Sequence, residues 1–152
     1  MKHVRKAQRV IVLLAVAAAA VTARRVAADA PPGRYTLPGD GTVLDTKTGL
    51  AWQQAVSGPS YTWADAGGYC QNLVLAGSGW RLPSMKELQT IVDESKLNPA
   101  IDGSAFPSTP VDFFWTSSPL AGTPSLTWYV NFDIGYTSFE VVSNAFRVRC
   151  VR

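Results

Sequence analysis

Apolar and polar positions change their spacing along this chain, and the changes mark out its elements. Residues 10–21 are an unbroken apolar run. From Arg34 to Gln54 the apolar residues come in short bursts: Tyr35, then Val43 and Leu44, then Leu50, Ala51 and Trp52. Gly39-Asp40-Gly41 and the polar residues 45–49 separate them, so this region predicts a small antiparallel meander with tight turns. A loop holding Gly58 and Pro59 follows, and the spacing then becomes helical. Trp63, Ala66, Cys70 and Leu73 share one face, and Thr62 with Asp65 predicts a capping box that opens the helix. Gly67 and Gly68 each weaken such a helix by about 1 kcal/mol relative to alanine, from which close packing against another element is expected.

The next stretch, residues 79–88, changes backbone state abruptly. Pro83 fixes its own φ and biases Leu82 toward extended geometry, so Trp80 to Leu82 leave a loop extended. Ser84 and Glu87 then form a second capping box, and Leu88, Ile91 and Val92 give the helix an apolar face. Trp80 and Leu88 are expected in the same core. Arg81, between them, has two readings: it pairs with a carboxylate or carbonyls and holds the loop, or it belongs to a ligand site. Residues 95–110 predict a long functional connection anchored by Ile101 and Phe106. Beyond it, residues 113–117, 128–132 and 146–151 alternate as half-buried antiparallel strands do. Trp128, Val130 and Phe132 fall on one face and Tyr129, Asn131 and Asp133 on the other. In the last segment Phe146, Val148 and Cys150 are expected inward, Arg147 and Arg149 outward.

Charge alters the picture once the leader is set aside. Lys2, Arg5, Lys6 and Arg9 precede the apolar run and Val26-Ala27-Ala28 follows it, the parts of a secretory signal over residues 1–28. The run is shorter than the roughly 20 residues a membrane span needs, although an uncleaved anchor stays open. Residues 1–28 hold six of the 14 Lys and Arg and none of the 11 acidic residues, so the whole-chain charge of +3 becomes −3 in the remainder. That excludes the basic field of a nucleic-acid-binding protein. Residues 29–33 read as a short linker and 34–152 as one domain, with no membrane span in the mature chain and an extracytoplasmic location: periplasmic, cell-surface or secreted. In such a compartment Cys70 and Cys150, the only two cysteines, are most simply one disulfide; two reactive thiols are the alternative.

Candidate chemistry is sparse. The single histidine, His3, lies in the leader, which leaves the domain no imidazole base and no His-ligated zinc. Asp102, Asp112, Asp133 and Glu140 are the acids from which a glycosidase-like pair could be drawn, but they read as solvated loop residues. Trp52, Trp63, Trp80, Trp115 and Trp128 are expected in the core. Tyr129, Asn131, Asp133 and Tyr136 are expected on an exposed face or loop with Arg147 and Arg149 near, a surface of the side-chain types that dominate recognition.

Gly39-Asp40-Gly41-Thr42-Val43-Leu44-Asp45, Thr48-Gly49-Leu50-Ala51-Trp52, Gly79-Trp80-Arg81-Leu82-Pro83-Ser84, Trp115-Thr116-Ser117-Ser118, Trp128-Tyr129-Val130 and the closing Val148-Arg149-Cys150-Val151-Arg152 together resemble the Lcl C-terminal domain family. The resemblance covers nearly all of the expected domain. It implies an α+β, C-type-lectin-like fold, related to formylglycine-generating-enzyme-like domains, with two helices packed on a twisted antiparallel sheet, long loops and a helix-to-last-strand disulfide. It also implies binding of sulfated polysaccharides, as in the collagen-like adhesin that names the family, although no Gly-X-Y tract occurs here. Calcium-dependent lectins of this fold use Glu-Pro-Asn or Gln-Pro-Asp and Trp-Asn-Asp triplets, which are missing from this sequence. No cofactor is expected, and a structural calcium ion is the one that the oxygen-rich loop leaves open. The expected function is an exported, non-enzymatic binding or adhesion module for a glycan or an envelope protein, acting through the loops of residues 95–124 and the outer strand face, with Arg81, Tyr129, Asn131, Asp133, Tyr136, Arg147 and Arg149 as binding residues. A formylglycine-generating-enzyme-like enzyme and a purely structural envelope domain are the alternatives; ligand identity and oligomeric state stay open.

Overall fold

Turn chemistry sets the first sheet. In the computed structural model, which describes residues 31–152, Asp40 accepts from the Thr42 backbone N–H at 3.0 Å and from its hydroxyl at 2.6 Å. Gly39 and Gly41, with φ of 85° and 86°, supply the left-handed backbone that the turn requires. Strands β1 (Tyr35–Thr36), β2 (Thr42–Asp45) and β3 (Ala51–Gln53) form the expected antiparallel meander, with Val43 opposite Trp52. The predicted leader lies outside the described residues. Among those described, no helix is long and apolar enough to cross a membrane.

Both helices begin where the capping residues predict. Helix α1 (Trp63–Asn72) starts at Thr62, whose hydroxyl oxygen accepts from the Asp65 N–H at 3.4 Å. Its predicted reciprocal bond is not formed, because the Asp65 carboxylate takes the Thr62 hydroxyl at 2.7 Å rather than the backbone N–H. Helix α2 (Met85–Thr90) carries the complete box between Ser84 and Glu87. Ala66 and Cys70 are buried on the face of α1 that the spacing indicated. The expectation for Gly67 and Gly68 is overturned: a Cβ at either would meet no described heavy atom within 4 Å.

A second antiparallel sheet runs β4 (Phe113–Leu120), β5 (Thr123–Asn131), β6 (Thr137–Val141), in that order. The protein is therefore α+β with two three-stranded sheets, where a single sheet was expected. The strand expected at residues 113–117 is present, and the β4–β5 hairpin runs on to Leu120 opposite Thr123, so residues 118–124 are largely strand where a loop was expected. Strand β6 was not foreseen. Its apolar residues Phe139 and Val141 are exposed, and an edge strand with no buried face leaves little alternation to detect.

Residues 146–151 form no ladder strand. They make isolated bridges instead: Phe146 with Tyr61, Arg147 with Phe114, and Val151 with both Trp52 and Arg81. A segment threaded between several partners keeps little solvated face, so the inward–outward alternation expected for it fails at Arg149, while Arg147 stays partly exposed. Val148, Cys150 and also Arg149 are wholly buried. One core cluster gathers Val43, Trp52, Leu88, Phe106, Phe114 and Phe132, and a second gathers Cys70, Trp80, Leu82, Trp115 and Val148. Trp80 and Leu88, expected together, lie one in each. Ile101 and Phe106 anchor their connection inside the first. Trp52, Trp80 and Trp115 are core residues, whereas Trp63 and Trp128 are only half-buried. The two cysteines form one disulfide, Cys70–Cys150.

Candidate functional site

A groove of about 360 Å³ opens beside α1. Trp63, Ala64, Gly67 and Gln71 line it from the helix, at spacings that place them on one stripe. Arg81 and Leu82 line it from the loop before α2, and Ser117 lines it from β4. Trp63 is held firmly, since its backbone N–H donates to Val142 O at 3.1 Å and its indole N–H to Thr116 O at 2.8 Å. No ring or guanidinium among the described residues stacks on the Trp63 indole. Gly67 leaves open space where it lines the groove, since a Cβ there would meet no described heavy atom within 4 Å.

The two walls are tied together through the chain terminus. Arg81 and Val151 exchange two backbone hydrogen bonds at 2.9 Å, and the adjoining Cys150 is bonded to Cys70 of α1. Ser117 N donates to Pro83 O at 2.7 Å, which fixes β4 to the same wall. The Arg81 guanidinium, 49% exposed, forms a bidentate pair with Glu87 at 2.8 and 2.6 Å. That pair holds the Glu87 carboxyl down to about 2, with the Ser84 N–H and hydroxyl contributing in the same direction. Arg81 thus does what its first reading said, holding the loop, while its guanidinium still lines the groove. Around Trp63 stand a planar cation, an amide and a hydroxyl, groups suited to a flat, hydroxylated ligand.

The other predicted residues are not brought together at this groove. Tyr129 is buried, packed against Phe113, Phe146 and Tyr136, and burial first and then the Tyr136 hydroxyl push its own hydroxyl up. Asn131 is buried as well and accepts from the Asp133 N–H at 2.7 Å, so it shapes the turn after β5 and faces no ligand. Asp133 is half-buried in that turn and Tyr136 is exposed. Arg147 is tied to Asp112 at 3.0 Å and to Gly58 O at 2.6 Å. Arg149, expected outward, is inside the protein. Burial pulls its guanidinium down to about 9, still charged at neutral pH.

Trp63, Gly67, Gln71 and Ser117 were missed as site residues. The paired glycines were the available signal, but a glycine in a helix marks either close packing or an unfilled surface, and sequence cannot separate the two. A second cleft, about 510 Å³, is lined by Arg34, Tyr35, Asp93, Asp102 and Ser104 among others. Most of its groups are engaged internally: Arg34 pairs with Asp45 and also donates to Thr90 O, Asp102 takes the Ser104 hydroxyl, and the Arg34 guanidinium covers the Tyr35 ring at 4.8 Å, while one Asp93 carboxylate oxygen is buried without a partner among the described residues. Burial, opposed by Arg34, pushes the Tyr35 hydroxyl up to about 12. Among the described residues no group of three His, Cys, Asp or Glu side chains could hold a metal ion.

In comparison with known protein families, the model of the Lcl C-terminal domain matches residues 41–152. No curated protein matches the sequence.

Proposed function

This chain belongs to the Lcl C-terminal domain family, and on that premise we propose that it is an exported, non-enzymatic module of C-type-lectin-like fold that binds a glycan in the groove between α1 and Arg81. The observation that carries this reading is Trp63, a half-buried indole fixed by its own N–H that lines an unfilled groove. An aromatic platform stacks on the apolar face of a sugar ring, and Arg81, Gln71 and Ser117 offer polar groups for its hydroxyls. Because Glu87 neutralises Arg81, the groove suits neutral or weakly acidic sugars better than a densely sulfated chain. The buried Arg149 cannot serve as an outward contact, so the reading moves the ligand away from the last strands.

The joining of Cys70 to Cys150 supports the non-enzymatic reading, since formylglycine-type chemistry needs thiols. A glycan array on the purified protein, repeated with Trp63→Ala, tests the proposal. Binding to a defined glycan class that Trp63→Ala reduces at least tenfold supports it, and binding that survives the substitution refutes the site. An envelope protein partner is the second reading, favoured by the exposed Phe139 and Val141 of β6 with Ile134 and Tyr136 beside them. A blank array together with recovery of one defined envelope protein would select it.

A further inference from the structure

Two charged side chains among the described residues are wholly buried, Asp45 and Arg149. Asp45 is met by Arg34 at 2.9 Å. Arg149 is met by no carboxylate among the described residues. Its guanidinium lies 4.5 Å from the Phe106 ring centre and 6.0 Å from that of Phe114, and Nη2 donates to the Thr109 hydroxyl at 2.8 Å. Thr109 in turn donates to Phe106 O at 2.8 Å, which fixes it as the acceptor. Nε and Nη1 are buried with no acceptor among the described residues.

A further unpaired donor stands on the same side. Trp52 bridges Val151 in antiparallel fashion, and the Gln53 N–H donates to Cys150 O at 2.9 Å, so the count places Trp52 and Arg149 on one face, a diagonal step apart. The Trp52 indole N–H is also buried without an acceptor, in the cluster that holds Phe106 and Phe114. Such donors are rare in folded proteins, and a guanidinium does not shed its proton to escape. The ring faces of Phe106 and Phe114 offset part of the charge but accept no in-plane N–H bond. Tyr35, the one group that acts electrostatically on Arg149, keeps its proton and so offers no counter-charge. A water molecule would satisfy the hydrogen bonds and leave the charge; a small anion meets both needs.

We propose that Arg149 holds a small inorganic anion of the halide class inside the protein, bound by its Nε and Nη1 groups with the Trp52 indole N–H as a further donor. The site is independent of the glycan groove, and its occupant is structural. Thermal unfolding of the purified protein tests it, in sodium chloride or bromide against sodium methanesulfonate at equal ionic strength. The midpoint is expected to rise with halide alone, by roughly 4 °C for each tenfold increase above the dissociation constant. Equal midpoints in halide and methanesulfonate would overturn the proposal. Arg149→Met, an apolar side chain of similar length, should abolish the halide response, and a response that persists in it also counts against the site. Should that variant not fold, crystals of the wild-type protein grown in bromide decide the matter. An anomalous peak within hydrogen-bonding distance of Nε or Nη1 is expected, and density there without anomalous signal would overturn the assignment.

Discussion

Replacing Gly67 by leucine separates the groove from the fold. Gly67 lies in the interior of the ten-residue α1, its φ is not in the left-handed region, and a Cβ there would meet no described heavy atom within 4 Å. Glycine disfavours a helix interior by about 0.8–1 kcal/mol relative to alanine, and leucine is nearly as good a helix former as alanine. Gly67→Leu should therefore stabilise the protein by about 1 kcal/mol and raise the unfolding midpoint by roughly 3–5 °C. The same side chain projects into the 360 Å³ groove beside Trp63, so affinity for any glycan bound there should fall at least tenfold, about 1.4 kcal/mol or more. Gly68→Ala supplies the control, gaining similar helix stability without lining the groove. Differential scanning calorimetry and isothermal titration with the array-selected glycan read the two effects. A stabilised Gly67→Leu protein with unchanged affinity would refute the groove as the site. A lowered midpoint would show that Gly67 is closely packed after all.

Three further outcomes are expected. The Glu87 carboxyl, held at about 2 against an ordinary 4.5, contributes stability that is fully present above pH 4.5 and is lost as pH falls toward 2. Because Arg81 is half exposed, that contribution is about 1 kcal/mol, and Glu87→Gln should flatten the acid limb of a urea-midpoint profile; a parallel profile would show that the pair contributes nothing. Asp45→Asn strips Arg34 of its buried partner and should cost roughly 3–5 kcal/mol in urea unfolding, with a loss below 1 kcal/mol contradicting the burial of this pair. Thiol titration in denaturant should find no free thiol before reduction and two after it. Reduction should cost roughly 2–5 kcal/mol and also weaken ligand binding, since Cys150 and Val151 hold both walls of the groove; free thiols in the untreated protein would disprove this.

The parts of this fold legible in the sequence are those governed by near neighbours. Asp40 and its flanking glycines specify a turn whatever surrounds them, and Ser84 with Glu87 caps α2 using atoms three residues apart. Arg81 was legible as a loop-holding cation because Glu87 is only six residues away. The exposure expected of Tyr129, Asn131 and Arg149 is lost for a common reason. Alternation assigns a residue to one face of a strand but not whether water or another segment covers that face. Here the terminal segment and the aromatic residues 113, 129 and 146 cover one another.

The amino-acid sequence by itself determined the turns of the first sheet, both helix starts, the anchoring of residues 101 and 106, and a single possible cysteine pair, since each depends on local backbone chemistry or simple counting. Tertiary structure alone decided that residues 146–151 thread between two sheets, that Arg149 lies inside, and that Gly67 and Arg81 line one groove. Those outcomes depend on which distant segments meet, and a hydrophobic pattern records only the wish to be buried, not the partner that does the burying.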